Sequence, residues 1–208
     1  MANNNPLVKG WATLDRDSGD AGVTSVVASA NQNNTGRLQR SVNFTFSADG
    51  PAAVQTTVRQ AGKPEFVAFN NPTAGVTKAG GTITLEGTSN SSKLTFTKNN
   101  DDIGITLPSV YTAAGASTNN GAEIDGDPGK SQQFNWSLQL TVPANSEVSA
   151  KTCQFTVTDN AGHTSSCTLT LAAGDATLDV SPLVIDLPWD GSTTGTFTVT
   201  TNVSFNIS

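Results

Sequence analysis

The feature that most constrains this chain is a period of two. Val42-Asn-Phe44-Thr-Phe46 and Val203-Ser-Phe205-Asn-Ile207 put an apolar side chain at every second position, and Val54-Gln-Thr-Thr-Val58 nearly does so. Successive side chains of a strand point to opposite faces, so such runs build sheets with one dry and one wet face. The first and third runs flank Ala48-Asp-Gly50-Pro, which reads as a β-hairpin. Charged residues are only 13% and 19 of 208 residues are Gly. That composition suits many strands and turns and argues against long helices.

More strands are expected around 66–69, 82–85 and 94–96, then at 136–142, 151–159 and 166–174. Lys63-Pro64-Glu65 reads as a linker, because Pro cannot pair within a central strand. Residues 1–10 read as a polar tail, and about 101–132 as a long turn-rich loop between strands. An internal repeat follows: 26–62 parallels 140–174, with Ala30-Asn31 set against Ala144-Asn145, and 80–96 resembles 190–207 around Asn90 and Asn202. The order is a closing half, a whole domain and an opening half.

On these residues the chain resembles the BACON module, a Bacteroidetes-associated immunoglobulin-like β-sandwich. The opening of that module is similar to Leu178-Asp-Val-Ser-Pro182 through Thr201-Asn202-Val-Ser-Phe205. Its second half is similar to Trp11, Ser18-Gly19, Ala30-Asn31, Arg40 and Val58-Arg-Gln60-Ala-Gly62. The resemblance implies an all-β fold of two tandem immunoglobulin-like sandwiches. The first is split between residues 1–63 and 176–208, and the second spans 64–175. It departs from the family in order, since the front half comes last. The family occurs mostly on secreted bacterial enzymes, with similar modules in virion proteins of tailed phages, the crAss-like ones among them.

Two or three strands alone leave an apolar face and a sheet edge in water. Phe197, Val199, Val203, Phe205 and Ile207 need a partner sheet, as do Trp11, Val42, Phe44 and Phe46. Burial of each is worth roughly 1.5–3 kcal/mol. The connection 175–178 spans about 13 Å extended, whereas the middle domain measures roughly 30–40 Å. The expectation is therefore exchange, in which the tail of one copy completes the first domain of the next. Fold-back within one chain is the rival, and a fragment cut through a third domain is the remaining alternative.

No Ser, Cys or His set for nucleophilic catalysis can be assembled around the single His163, and no phosphate-binding glycine motif is present. The reading is not an enzyme, with no cofactor. Glu123, Asp125 and Asp127 form a weak calcium candidate without the spacing of a calcium loop, and a solvated turn is the better reading. Cys153 and Cys167 flank the turn Asp159-Asn-Ala-Gly162 and are expected opposite each other, facing inward, as a disulfide or a reduced buried pair. Trp11 and Trp136 read as core. Trp189, in a Pro-Trp-Asp-Gly turn, and Tyr111, in the insertion, are the aromatics available to a glycan or a protein.

A net charge of −6 and a pI near 4.5 disfavour nucleic acid and anionic membranes as partners. No basic and apolar leader opens the sequence, so the chain is expected to be made in the host cytoplasm and to leave other than by secretion. The first reading is a self-assembling structural protein, an auxiliary or decoration protein of a phage virion that binds itself and a capsid or other virion protein. The alternative is a carbohydrate-binding module pair of a secreted or surface protein, bound to cell-surface glycans.

Overall fold

A computed structural model of the protein describes residues 5–208, and these are all-β apart from one 3-10 turn. In the N-terminal portion β1 (Leu7–Lys9), β2 (Ala12–Leu14) and β3 (Ala28–Ala30) form a three-stranded antiparallel sheet. Leu7–Lys9 is thus a strand rather than part of a polar tail, since Val8 and Lys9 find ladder partners in Thr13 and Ala12. Residues 1–4 of that tail lie outside the described residues. β4 (Arg40–Phe46) and β5 (Val54–Gln60) form the hairpin that alternation predicts, with Val42 opposite Val58 and Phe46 opposite Val54. A small cluster of Ala12, Leu14 and Phe44 lies between sheet and hairpin, edged by Trp11, Val42 and Val58.

The middle of the chain is a two-sheet sandwich. Its strands are β6 (Val67–Phe69), β7 (Thr73–Val76), β8 (Gly81–Ser89), β9 (Leu94–Asn99), β10 (Val110–Ala113), β11 (Ala116–Asn119), β12 (Phe134–Val142), β13 (Lys151–Asp159) and β14 (Thr164–Leu171). One sheet runs β11-β10-β12-β8-β6 and the other β7-β14-β13-β9. β12 shows why the alternation matters: Phe134, Trp136, Leu138, Leu140 and Val142 are all buried. They face Cys153, Phe155 and Val157 of β13 and Leu169 and Leu171 of β14 in one continuous core. Trp136 lies at its centre, 4.9 Å from the Phe69 ring and 5.1 Å from the Phe96 ring. Opposite Trp136 on β8 stands Gly87, where a Cβ would come within 2.1 Å of the indole.

The segment expected as a loop insertion is instead built into this sandwich. It holds β10, β11 and the 3-10 turn Pro128–Lys130, and it sends Ile103, Ile105, Tyr111, Ala113 and Ile124 into the core. Its strands are short and built largely of Ala, Thr, Ser and Asn, which hides a ladder that tertiary pairing with β12 supplies.

The C-terminal portion contains β15 (Leu178–Ser181) and β16 (Thr198–Thr201), paired with each other. Val203-Ser-Phe-Asn-Ile207, expected as a strand, has no ladder partner among the described residues. Alternation supplies the faces of a strand, but the ladder needs a neighbouring backbone.

β8 and β12 pair along nine residues, from Ser89 opposite Phe134 to Gly81 opposite Val142, a span of roughly 26 Å. The N-terminal portion sits at the first end, where the Arg37 and Leu38 N–H groups donate to the Gly129 and Lys130 carbonyls at 3.0 and 3.1 Å. The C-terminal portion sits at the second, where Asn202 Nδ2 donates to the Ser146 carbonyl at 3.3 Å. Among the described residues no strand pairing joins the two portions.

Candidate assembly interface

Asparagines organise the chain at both ends of the sandwich. Asn34 Nδ2 donates to the carbonyls of Leu38 (2.7 Å) and Ala61 (3.1 Å), and its Oδ1 accepts the Gly36 N–H (3.2 Å). Asn145, 111 residues on, donates to Ser149 (2.8 Å) and Ala172 (2.9 Å) and accepts the Glu147 N–H (3.0 Å). Each pins the crossing between two strands to the end of the following hairpin. The repeat is therefore anchored on Asn34, not on Asn31 as the Ala-Asn dipeptide implied; Asn31 bonds instead to the Gly10 carbonyl and Thr13 hydroxyl.

The joint between the N-terminal portion and the sandwich turns on Asn90, which is fully buried. Its Nδ2 donates to the carbonyls of Thr35, Lys63 and Pro64, and its Oδ1 accepts the Phe66 N–H at 2.9 Å. Asn202 makes the same joint between the sandwich and the C-terminal portion. Its Nδ2 reaches the carbonyls of Ser146 (3.3 Å) and Asp175 (2.9 Å), and its Oδ1 accepts the Thr177 N–H (2.8 Å). Thr35, Pro64 and Phe66 correspond to Ser146, Asp175 and Thr177 at the same step of 111. At the first joint Arg37 adds a hydrogen bond to the Asn90 carbonyl (2.6 Å) and an ion pair with Asp127.

Beyond the joints, both portions expose apolar side chains. In the N-terminal portion a cavity of about 430 Å³ opens beside the small cluster, and its walls include Leu7, Leu14, Phe44 and Phe46. Phe44 is buried and Trp11 and Val42 are half-buried, so these three already pack locally, whereas Phe46 is 42% exposed. Trp11 also carries the Arg40 guanidinium 4.8 Å from its ring centroid. In the C-terminal portion Phe197, Phe205 and Ile207 are exposed and Val199 and Val203 half-buried.

The remaining expected positions divide. Trp136 is core and Trp189 is 98% exposed. Tyr111, expected on the surface, is instead buried, because β10 turns it toward the core with its ring 4.9 Å from Phe96. Its hydroxyl has no hydrogen-bond partner, and burial pushes the phenol up to about 12. Cys153 and Cys167 do face inward, but they are not opposite each other. Cys153 pairs with Leu169 and Cys167 with Phe155, one diagonal step apart, and both thiols are free. Diagonal Cα atoms lie about 7–8 Å apart, beyond disulfide reach. Burial pushes the Cys153 thiol up to about 11, and that of Cys167 up as well.

The calcium candidate does not assemble. Asp127 is engaged by Arg37, Ile124 between the acids is buried, and no metal-type cluster occurs among the described residues. His163 Nδ1 lies 2.8 Å from the buried Asp159 carboxylate, which also accepts the Ala161 and His163 N–H groups and closes the β13–β14 turn. At Asp101, burial pushes the carboxyl up, but Lys98 and the Gly104 and Ile105 N–H groups outweigh it and hold the group below its ordinary value. These carboxylates organise turns. No family model matches the chain, and no curated protein matches it.

Proposed function

We propose that the chain is a non-enzymatic structural protein that assembles head to tail with copies of itself, the C-terminal portion of one copy completing the N-terminal portion of the next. One observation carries the reading: the strand complements add up to the sandwich. The N-terminal portion has a three-stranded sheet and a two-stranded hairpin, where the sandwich has five and four strands. β15 and β16 supply two strands to bring three to five. Residues 184–187 and 205–208 offer one strand to each edge of the hairpin, bringing two to four. The two portions lie at opposite ends of the sandwich, so a second copy is the partner that meets this geometry. Head-to-tail contacts of this kind close into a ring or propagate.

The immunoglobulin-like, BACON-type character of the modules and a place on a phage capsid as an auxiliary or decoration protein belong to the same proposal. They are supported by the sequence resemblance and by the acidic, turn-rich composition. Excess synthetic peptide 176–208 should cap the open portions and shorten the assemblies, and mass spectrometry of gradient-purified particles should detect the chain. Assemblies indifferent to the peptide would contradict the exchange, and particles without the chain would contradict the virion placement.

The carbohydrate-binding alternative retains one favourable observation, the full exposure of Trp189. It loses Tyr111 to the core. A glycan array with Trp189→Ala as control tests it; binding that the substitution abolishes would favour this second reading.

A further inference from the structure

We infer that exchange occurs in one defined strand register, with Asp186 of one copy opposite Arg59 of the next and Ile207 of the first opposite Phe46 of the second. This rests on the head-to-tail reading and adds the register to it. The template is inside the chain. The β4–β5 hairpin repeats β13–β14 pair for pair at a step of 111: Arg40 opposite Gln60 matches Lys151 opposite Leu171, and Phe46 opposite Val54 matches Val157 opposite Ser165. β15–β16 repeats β6–β8 equally well, at 111 on the first strand and 112 on the second. Leu178 opposite Thr201 matches Val67 opposite Ser89, and Val180 opposite Val199 matches Phe69 opposite Gly87.

The turn that follows also repeats at 111. The Gly80 N–H donates to the Thr77 carbonyl at 2.9 Å, and the Gly191 N–H to the Pro188 carbonyl at 3.1 Å. Residues 184–187, held between these anchors, therefore stand where β7 stands. β7 runs parallel to β14, with Leu169 opposite Ala74 and Thr170 opposite Gly75. Carried over by 111, Val58 meets Ile185 and Arg59 meets Asp186. Leu169 and Ala74 pack on the sandwich core, so the apolar pair falls inside and the charged pair outside. Among the described residues neither Arg59 nor Asp186 has an ion pair within its own chain.

The other edge of the hairpin follows the same rule. Phe96 of β9 lies opposite Val157, both buried. A step of 111 sets Phe205 and Ile207 where buried Leu94 and Phe96 stand, whereas the step of 112 seen at Asn202 would set Asn206 and Ser208 there, so the apolar pattern selects 111 and places Ile207 where Phe96 is. Ile207 is 78% exposed within its own chain, and contact with Phe46 covers both.

The test mixes two single variants, Arg59→Cys and Asp186→Cys, under mild oxidation, alongside Thr57→Cys with Asp186→Cys as an out-of-register control. Paired neighbours on adjacent strands lie about 5 Å apart, within disulfide reach, while the control pair is two residues off. The expected result is a covalent dimer on a non-reducing gel for the first mixture and little for the second. Charge reversal supplies a second readout: Arg59→Asp should weaken association about two- to fivefold, and adding Asp186→Arg should restore it. Chains that associate but link only in the control mixture would overturn the register while leaving head-to-tail assembly standing. Wild-type chains that never associate would overturn both.

Discussion

Asn90 and Asn202 hold the same place in two successive joints of one chain. Each uses its amide to bind the carbonyls on either side of a linker and its carbonyl to accept the N–H that opens the next strand. The C-terminal portion thus sits on the sandwich as the sandwich sits on the N-terminal portion. Two ends that reproduce the two sides of one joint are what the proposed head-to-tail assembly requires.

Removing the first of these amides should be costly. Asn90 is fully buried, and Asn90→Ala leaves the Phe66 N–H and several carbonyls without a partner. The expected loss is about 2–3 kcal/mol, measured by urea unfolding of dilute protein. Asn202→Ala, at an exposed position, should cost below about 1 kcal/mol under the same conditions.

Alkaline pH should destabilise the sandwich through two buried acids. Cys153 rises from 9.0 to about 11 and Tyr111 from 10.0 to about 12, so both are held neutral by the fold. A group whose folded pKa is raised contributes stability that is complete below its unfolded value and lost as pH climbs through the folded one. Stability should therefore hold to about pH 9 and fall between about 9 and 12, by about 1–3 kcal/mol per group. Tyr111→Phe deletes a hydroxyl with no hydrogen-bond partner. It should leave neutral-pH stability unchanged or slightly higher and blunt the alkaline loss, as read from denaturant midpoints at pH 7 and 10.5.

The two thiols should stay reduced and slow. Cys153 and Cys167 are 0% and 2% exposed and lie diagonally on their hairpin. Titration with a chromogenic disulfide reagent should count two thiols in denaturant and almost none in native protein within minutes. A native intrachain disulfide under mild oxidation would contradict the register.

Much of the fold was legible in the alternation of apolar residues. The hairpin of β4 and β5, and strands β12 to β14, lie where the period of two places them. The rest was hidden for identifiable reasons. Tyr111 sits on a strand of four residues in an Asn-, Ala- and Gly-rich stretch, whose pairing with β12 no local pattern announces. The cysteine offset follows from the centre of a turn: Thr158 opposite Thr164 puts that centre on Ala161, one residue past the position that made 153 and 167 symmetric. Asn34 was masked by the more obvious Ala30-Asn31 dipeptide, although its spacings to Gly36 and Ala61 recur at Asn145. The run Val203–Ile207 reads as a strand in sequence and is unpaired among the described residues, which is the arrangement a strand awaiting a partner copy would show.

Sedimentation equilibrium of the 208-residue chain over a hundredfold range of concentration addresses self-assembly most directly. The expected weight-average mass rises with concentration well above 21.4 kDa, and Ile207→Asp, which puts a charge against Phe46, holds it near that value while the sandwich remains folded by circular dichroism. A wild-type mass that stays at 21.4 kDa throughout would contradict head-to-tail completion.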